Sequence, residues 1–439
     1  MKTPICDYVN QYARSEALRL HMPGHKGTGV LGVERLDITE IPGADSLYEA
    51  AGIIRQSEEN ASALFGCPTF YSTEGASQCI RAMVHMAMLS AKEQGRTPCI
   101  AAGRNAHKAF LSAVALLDAD VVWLQGKAQE NYLSCTLTAE DLELAFSGDK
   151  TPTAVYITSP DYLGNVADIP ALSAVCRRHG ALLLLDNAHG AYLRFLPQSL
   201  HPMDLGADLC CSSAHKTLPV LTGGAYLHTA ASLADGARDA LALFGSTSPS
   251  YLILQSLDAC NLYLESYGEA LSAFLPKVSA LGEKLRQNGY RLTGSEPMKL
   301  TLCTKPYGYL GTELAAYLEE KGIVCEFADP DFVVLMPTLQ TGEEGLARLE
   351  KALLSAAKRP AIQAEAPRFS ARERVCSVRQ AMLGVSRKVP VAEALGHVLA
   401  SPCVGCPPAV PIVLCGERID EKAVSAFHYY GITHCTVME

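Results

Sequence analysis

The chain has 439 residues, 49% hydrophobic and 19% charged, with a formal net charge of −9; that length predicts two or three domains, each with a core of its own. The acidic balance disfavours broad contact with nucleic acid or anionic membrane, both of which are driven by clustered Lys and Arg. No run approaches the roughly 18 apolar residues of a membrane span and Met1-Lys2-Thr3-Pro4 opens no secretory signal, so a soluble cytoplasmic protein acting on small molecules is expected.

Along the chain, Tyr71-Ser72-Thr73-Glu74-Gly75-Ala76-Ser77 leads into a helical run over 78–92. A small-residue turn at a helix N-terminus presents backbone N–H groups and the positive end of the helix dipole, which suits a phosphate. An ordinary N-cap reads the same way.

Short β-rich apolar runs at 99–102, 120–124, 154–158, 181–185, 209–212 and 224–227 alternate with helical patterns. That alternation predicts an α/β fold with a mostly parallel sheet covered on both faces. In such sheets ligands bind beyond the carboxyl ends of the strands, so the polar residues there are the candidates for function.

His107 follows the strand at 99–102 and could stack on a planar ring, although a lone histidine is more often structural. Asp186 ends the aliphatic run 182–185 and is followed by Asn187-Ala188-His189-Gly190. A carboxylate so placed can keep a heteroaromatic nitrogen protonated, with His189 orienting it or shuttling a proton; a capping Asp beside a satisfied histidine is the plainer alternative. Ser212-Ser213-Ala214-His215-Lys216-Thr217 leaves another strand and precedes Gly223-Gly224. A lysine held there can be desolvated and used as an amine nucleophile, while the hexapeptide alone is more readily read as a surface loop lysine.

From 250 to about 286 the pattern is helical, then come strands at 299–303, 323–327 and 332–336 around a helix at 312–321. These predict a smaller α+β domain after a long connecting helix. A linker-like stretch over 358–367 precedes a short helical, turn-rich tail with Pro402, Pro407, Pro408 and Pro411. The expected blocks are an N-terminal arm (1–45), a large domain (46–250), a small α+β domain (251–358) and a C-terminal domain (368–439). The 16 cysteines are scattered through apolar runs and read as buried free thiols. Cys403-Val404-Gly405-Cys406 has CxxC spacing but no second ligand pair, so packing thiols, not a metal, are expected there.

A phosphate turn, a strand-end Asp and then a lysine, in that order, resemble a fold-type I pyridoxal-phosphate enzyme. The likeness narrows at His21-Met22-Pro23-Gly24-His25-Lys26-Gly27, Thr39-Glu40-Ile41-Pro42-Gly43-Ala44-Asp45-Ser46-Leu47, Ser213-Ala214-His215-Lys216-Thr217-Leu218-Pro219 and Ser246-Thr247-Ser248-Pro249-Ser250-Tyr251. Together with Pro407-Pro408-Ala409-Val410-Pro411 and Gly416-Glu417 these are similar to motifs of the Orn/Lys/Arg decarboxylase family, in its short bacterial form.

The resemblance implies that Lys216 is the Schiff-base lysine of pyridoxal 5'-phosphate, that Asp186 pairs with the pyridine nitrogen with support from His189, and that His107 stacks on the ring. It assigns cofactor contacts to Gly75, Ala76, Ser77, Ala188, Ser213 and His215, with Thr247 reaching across from a second subunit of a homodimer. It suggests Glu417 and Asp45 as partners for the distal cation of a lysine, arginine or ornithine substrate, which loses carbon dioxide to give a polyamine-type amine. Ala76 stands where the family's phosphate loop usually offers a hydroxyl, Cys406 where an aromatic usually precedes the double proline, and Ala409 where glycine is usual. The competing readings are another fold-type I reaction, such as transamination or elimination on the same Lys216 and Asp186, and a catalytically silent paralogue.

Overall fold

The computed structural model describes residues 1–126, 131–368, 371–402 and 409–439; Cys403, Cys406 and the double proline at 407–408 lie outside the described residues. Seven strands, β1 (Thr69–Ser72), β2 (Cys99–Gly103), β3 (Asp120–Leu124), β4 (Ala154–Thr158), β5 (Leu182–Asp186), β6 (Leu209–Ser212) and β7 (Ala225–Thr229), make one mostly parallel sheet of order β1-β7-β6-β5-β4-β2-β3. The α/β expectation holds. Leu183, Leu184 and Leu185 are completely buried, as a strand covered on both faces requires.

The chain divides into two compact units, each built from two separate stretches. The first comprises Met1–Gln94 and Leu182–Leu271. Within it β6 runs parallel to β5, and β7 runs antiparallel to both β6 and β1. Its aromatic core gathers Phe65, Tyr226, His201 and His228, with ring centroids 4.7–5.6 Å from that of Phe65. The helix Pro4–Arg14 is fastened by the buried Asp258, whose Oδ2 accepts the Ile5 and Cys6 amides at 3.0 and 2.9 Å and whose Oδ1 accepts the Ser57 hydroxyl at 2.6 Å. An anion on the first-turn amides of a helix completes bonds that the helix cannot make itself.

The second unit comprises Gly95–Ala181 and Ser272–Glu439. Here β2 runs parallel to β3 and β4. Four further strands, β8 (Arg291–Thr293), β9 (Leu300–Cys303), β10 (Phe327–Ala328) and β11 (Phe332–Leu335), form an antiparallel sheet of order β10-β11-β9-β8. The last pair, β12 (Ser386–Pro390) and β13 (His434–Met438), is antiparallel. It closes over a core of its own that includes Val389, Leu399, Ile412, Ile419, Phe427 and Val437, so the tail is a packed body with more regular structure than its turn-rich sequence suggests.

Two expectations need correction. The long connecting helix is two helices, Tyr251–Leu264 and Tyr267–Gln287, broken at Glu265-Ser266. The strand expected over 323–327 contracts to Phe327–Ala328, because Val324 is 84% exposed and has no sheet face to fill. The described cysteines are all free and most are buried.

Ala409 adopts a left-handed backbone, φ +55°, at the position where the resembling family carries glycine. A Cβ in that region costs about 1–2 kcal/mol. Ala409→Gly is therefore expected to raise stability by about 1 kcal/mol, after the added entropy of an unfolded glycine is subtracted. Urea denaturation at neutral pH would read this as a higher midpoint with an unchanged slope.

Candidate functional site

In the first unit Ser72, the last residue of β1, lies opposite Ala225, and Ser212, the last of β6, lies opposite Tyr226. Both strands therefore end at the same edge of β7. Asp186 at the end of β5 is in register with Cys211 of β6. The edge thus collects the turn at 73–77, the segment 186–190 and the segment 213–217.

The turn is braced from below. Ser72 Oγ donates to Gln78 Oε1 at 2.6 Å, and Gln78 Nε2 donates to the Tyr48 hydroxyl at 2.7 Å and to the Leu241 carbonyl at 2.9 Å. Gly75 has φ +72° and ψ 178°, a region open essentially only to glycine. Its N–H donates to the Gly223 carbonyl at 2.7 Å. The helix Ala76–Glu93 starts at this point with no side-chain cap, so its first turn keeps donors for an external anion. Around an added Cβ at Gly75 the nearest atom is His215 Cε1 at 4.0 Å.

Gly75→Ala consequently meets space but strains the backbone by about 1–3 kcal/mol. The expected result is a roughly tenfold or greater loss of affinity for a phosphate-bearing cofactor, read by titration of absorbance or fluorescence. Affinity equal to that of the parent protein would refute a phosphate role for the turn.

His215 places both its backbone N–H (3.2 Å) and Nδ1 (2.9 Å) on the Gly224 carbonyl. A carbonyl only accepts, so Nδ1 carries the proton, and burial pushes the imidazole pKa down. Lys216 is half-buried in a single helical turn, Ala214–Thr217, with its N–H on the Ser213 carbonyl at 3.1 Å. Gly223 and Gly224 therefore link the anion-ready turn to the lysine segment.

Asp186 is 2% exposed. Its Oδ1 accepts the Ala188 N–H at 3.2 Å and faces the Cys211 thiol at 3.7 Å. Sequence reasoning passed over the neighbouring Asn187, whose N–H bonds the Cys211 carbonyl and whose Nδ2 bonds Ser212 Oγ, both at 3.0 Å. It ties the exit of β5 to that of β6, and a Cβ at Gly190 would lie 1.9 Å from its Oδ1. The glycine in Asn187-Ala188-His189-Gly190 was the legible trace of that close approach. His189 is buried.

In the second unit His107 is the N-cap of the helix Lys108–Leu117, its Nδ1 accepting the Ala109 N–H at 3.1 Å. That bond fixes the ring and leaves the proton of a neutral imidazole on Nε2. The carboxylate of Glu417 is held bidentately by Arg104 at 2.5 and 2.8 Å and accepts the Leu414 N–H at 3.0 Å. In the first unit the Asp45 carboxylate accepts the amides of Gly52 and Ile54 at 2.8 Å, at the start of the helix Ile53–Phe65. Both acids expected to meet a substrate cation thus already have protein donors. Thr247 is exposed, in a segment where the Ser246 N–H donates to Glu74 Oε1.

Two arginine decarboxylases are among the chain's relatives, and lysine decarboxylases are among the solved structures that share its fold. The chain is 27% identical to an arginine decarboxylase of Bacillus subtilis (strain 168), covering 97% of this chain and 92% of that one. It is also 27% identical to an arginine decarboxylase of Halalkalibacterium halodurans, covering 96% and 92%. The lysine decarboxylase LdcF of Francisella novicida superposes with a TM-score of 0.82 at 16% identity, over 100% of this chain and 81% of that one. The constitutive lysine decarboxylase of E. coli superposes with a TM-score of 0.78 at 16% identity, over 100% and 82%. The family model described as Orn/Lys/Arg decarboxylase, major domain, matches residues 3–296. With most of its length matched by that model, the chain belongs to the Orn/Lys/Arg decarboxylase family.

Proposed function

We propose that this chain is a pyridoxal 5'-phosphate-dependent decarboxylase of a basic amino acid, with arginine the first candidate, working in the cytoplasm as a homodimer with a shared site. The observation that carries the reading is the meeting, at one strand edge of one unit, of an uncapped helix N-terminus, the buried Asp186 and Lys216. Those are the donor, the anion and the amine that the cofactor's phosphate, ring nitrogen and aldehyde call for.

When bound, the cofactor supplies an electron sink for the carbon left behind by departing carbon dioxide. The protein's share is binding and proton placement. The first-turn amides at Ala76 and Ser77, with Ser77, Ser213 and the neutral His215, bind the phosphate, while Gly75 lets the backbone approach. Lys216 would hold the cofactor through Nζ. Asp186 keeps a proton on the ring nitrogen, which its burial strengthens, with the Ala188 N–H and His189 fixing the carboxylate. By family resemblance His107 stacks on the ring and Thr247 serves the neighbouring subunit.

The arm supports a dimer, for Leu18, Leu20, Met22, Val30 and Leu31 are 82%, 82%, 69%, 98% and 79% exposed. Large apolar chains gathered in one segment mark an interaction surface. A distal ammonium or guanidinium calls for a carboxylate. Neither Glu417 nor Asp45 offers one while its present partners stay.

The test is an absorbance spectrum of the purified protein with and without arginine, lysine or ornithine, alongside assayed carbon dioxide. A cofactor band in the near-visible and carbon dioxide from one of the three is the expected result. A band without carbon dioxide would move the chain to another reaction of the same cofactor, and no band after incubation with pyridoxal phosphate would end the reading.

A further inference from the structure

Glu417 and Arg104 stand 313 positions apart in sequence yet form a bidentate pair with side chains only 6% and 3% exposed. Arg104 opens the short segment that carries His107. The same segment is held a second time from the C-terminal body, where the Ala409 carbonyl accepts the Lys108 N–H at 2.9 Å. Between these two tethers the ring of His107 is fixed by its Nδ1 on the Ala109 N–H.

Arg372, its side chain 2% exposed, pairs with Asp420 at 3.2 Å. It also lies within electrostatic range of both Arg104 and Glu417. The carboxylate of Glu417 therefore offsets two buried guanidinium charges. Removing one partner of such a cluster leaves an uncompensated buried charge. The element that carries the Arg104 charge is the loop at 104–107, buried at Arg104, Asn105 and Ala106.

We infer that Glu417 is a positioning residue for His107, acting through Arg104, rather than a carboxylate for the substrate's distal cation. The inference rests on the proposed stacking role of His107 for its effect on the cofactor, but its structural half stands without it. The C-terminal body then contributes to cofactor binding by holding one loop from behind.

The experiment is a double-mutant cycle on the full chain with Glu417→Met, Arg104→Met and the two combined. Methionine keeps the volume, and replacing both charges together removes the conflict that either single change creates. Two quantities are read: the dissociation constant for added pyridoxal phosphate, and amide hydrogen exchange over 104–110. Each single variant is expected to weaken cofactor binding by about tenfold or more and to speed exchange in the loop, with the double variant back within about threefold on both. If Glu417→Met does not fold, Glu417→Gln, which keeps the shape and loses the charge, is read the same way.

Single variants with parental exchange and cofactor affinity would overturn the inference. So would a double variant as impaired as Glu417→Met alone, particularly with a raised KM for arginine, since that pattern belongs to direct substrate contact. Absence of cofactor binding in the parent protein would refute the proposed function instead, and the exchange measurement on the cofactor-free protein would still decide whether Glu417 sets the loop.

Discussion

Lys216→Ala is expected to cut carbon dioxide release by at least about three orders of magnitude while shifting the melting temperature by no more than about 4 °C. The lysine is half-buried in a four-residue helical turn whose backbone bonds, Lys216 N–H to Ser213 and Leu218 N–H to Ala214, do not involve its side chain. Alanine is a good helix former, so the turn survives. The cofactor loses its only covalent anchor in the proposed chemistry. Borohydride treatment followed by mass measurement of the denatured protein separates the cases: the parent chain should retain the mass of the cofactor and the variant should not. A variant that still retains it would place the attachment at another lysine.

Acid is expected to destabilise the protein steeply below about pH 6.5, and two histidines account for a defined part of that loss. His201 and His228 are both completely buried, with rings 4.9 Å apart and nearly perpendicular. Burial pushes His201 down to about 3 and His228 well below the ordinary histidine value. Both are neutral in the fold, and in the unfolded chain both bind protons below about 6.5. Their contribution is thus fully present above that pH. It falls by about 1.4 kcal/mol per pH unit for each histidine as the medium becomes more acid, down to about pH 3 for His201.

His201→Phe isolates the effect. Neither ring nitrogen of His201 has a hydrogen-bond partner among the described residues, so phenylalanine forfeits no bond and removes the proton site. Stability from urea titrations at pH 7, 6 and 5 should decline less steeply in the variant, by one proton's worth. Parallel curves for the two proteins would show that His201 is protonated in the native state.

The parts of the fold that were legible were those with local signals. The strands at 120–124, 154–158 and 209–212 have the expected bounds, because short aliphatic runs between polar turns leave little choice of register. The small-residue turn at Gly75 was visible as a local pattern, but an ordinary N-cap looks the same in sequence, and only the structure shows that the helix has no side-chain cap. β1 went unnamed because Thr69–Ser72 is only four residues and gains its meaning from β7, which the chain supplies some 150 residues later. The pairing of Glu417 with Arg104 left no trace at either position, for nothing near a lone glutamate says which distant arginine it will meet. The structural bonds of Asp45 were hidden for a related reason: it binds the first amides of a helix that starts eight residues further on, too far to look like an N-cap.

The interleaving of the two units has a consequence for synthesis. Residues Met1–Gln94 belong with Leu182–Leu271, and the stretch between them belongs with a partner that emerges later still. A growing chain cannot finish the first unit before residue 271 leaves the ribosome, and β1 waits as an unpaired edge until β7 has emerged, a known route to aggregation. Single-cut fragments divide at least one unit, so expression of halves should give insoluble material, whereas a two-point excision that keeps 1–94 joined to 182–271 follows the grain of the fold.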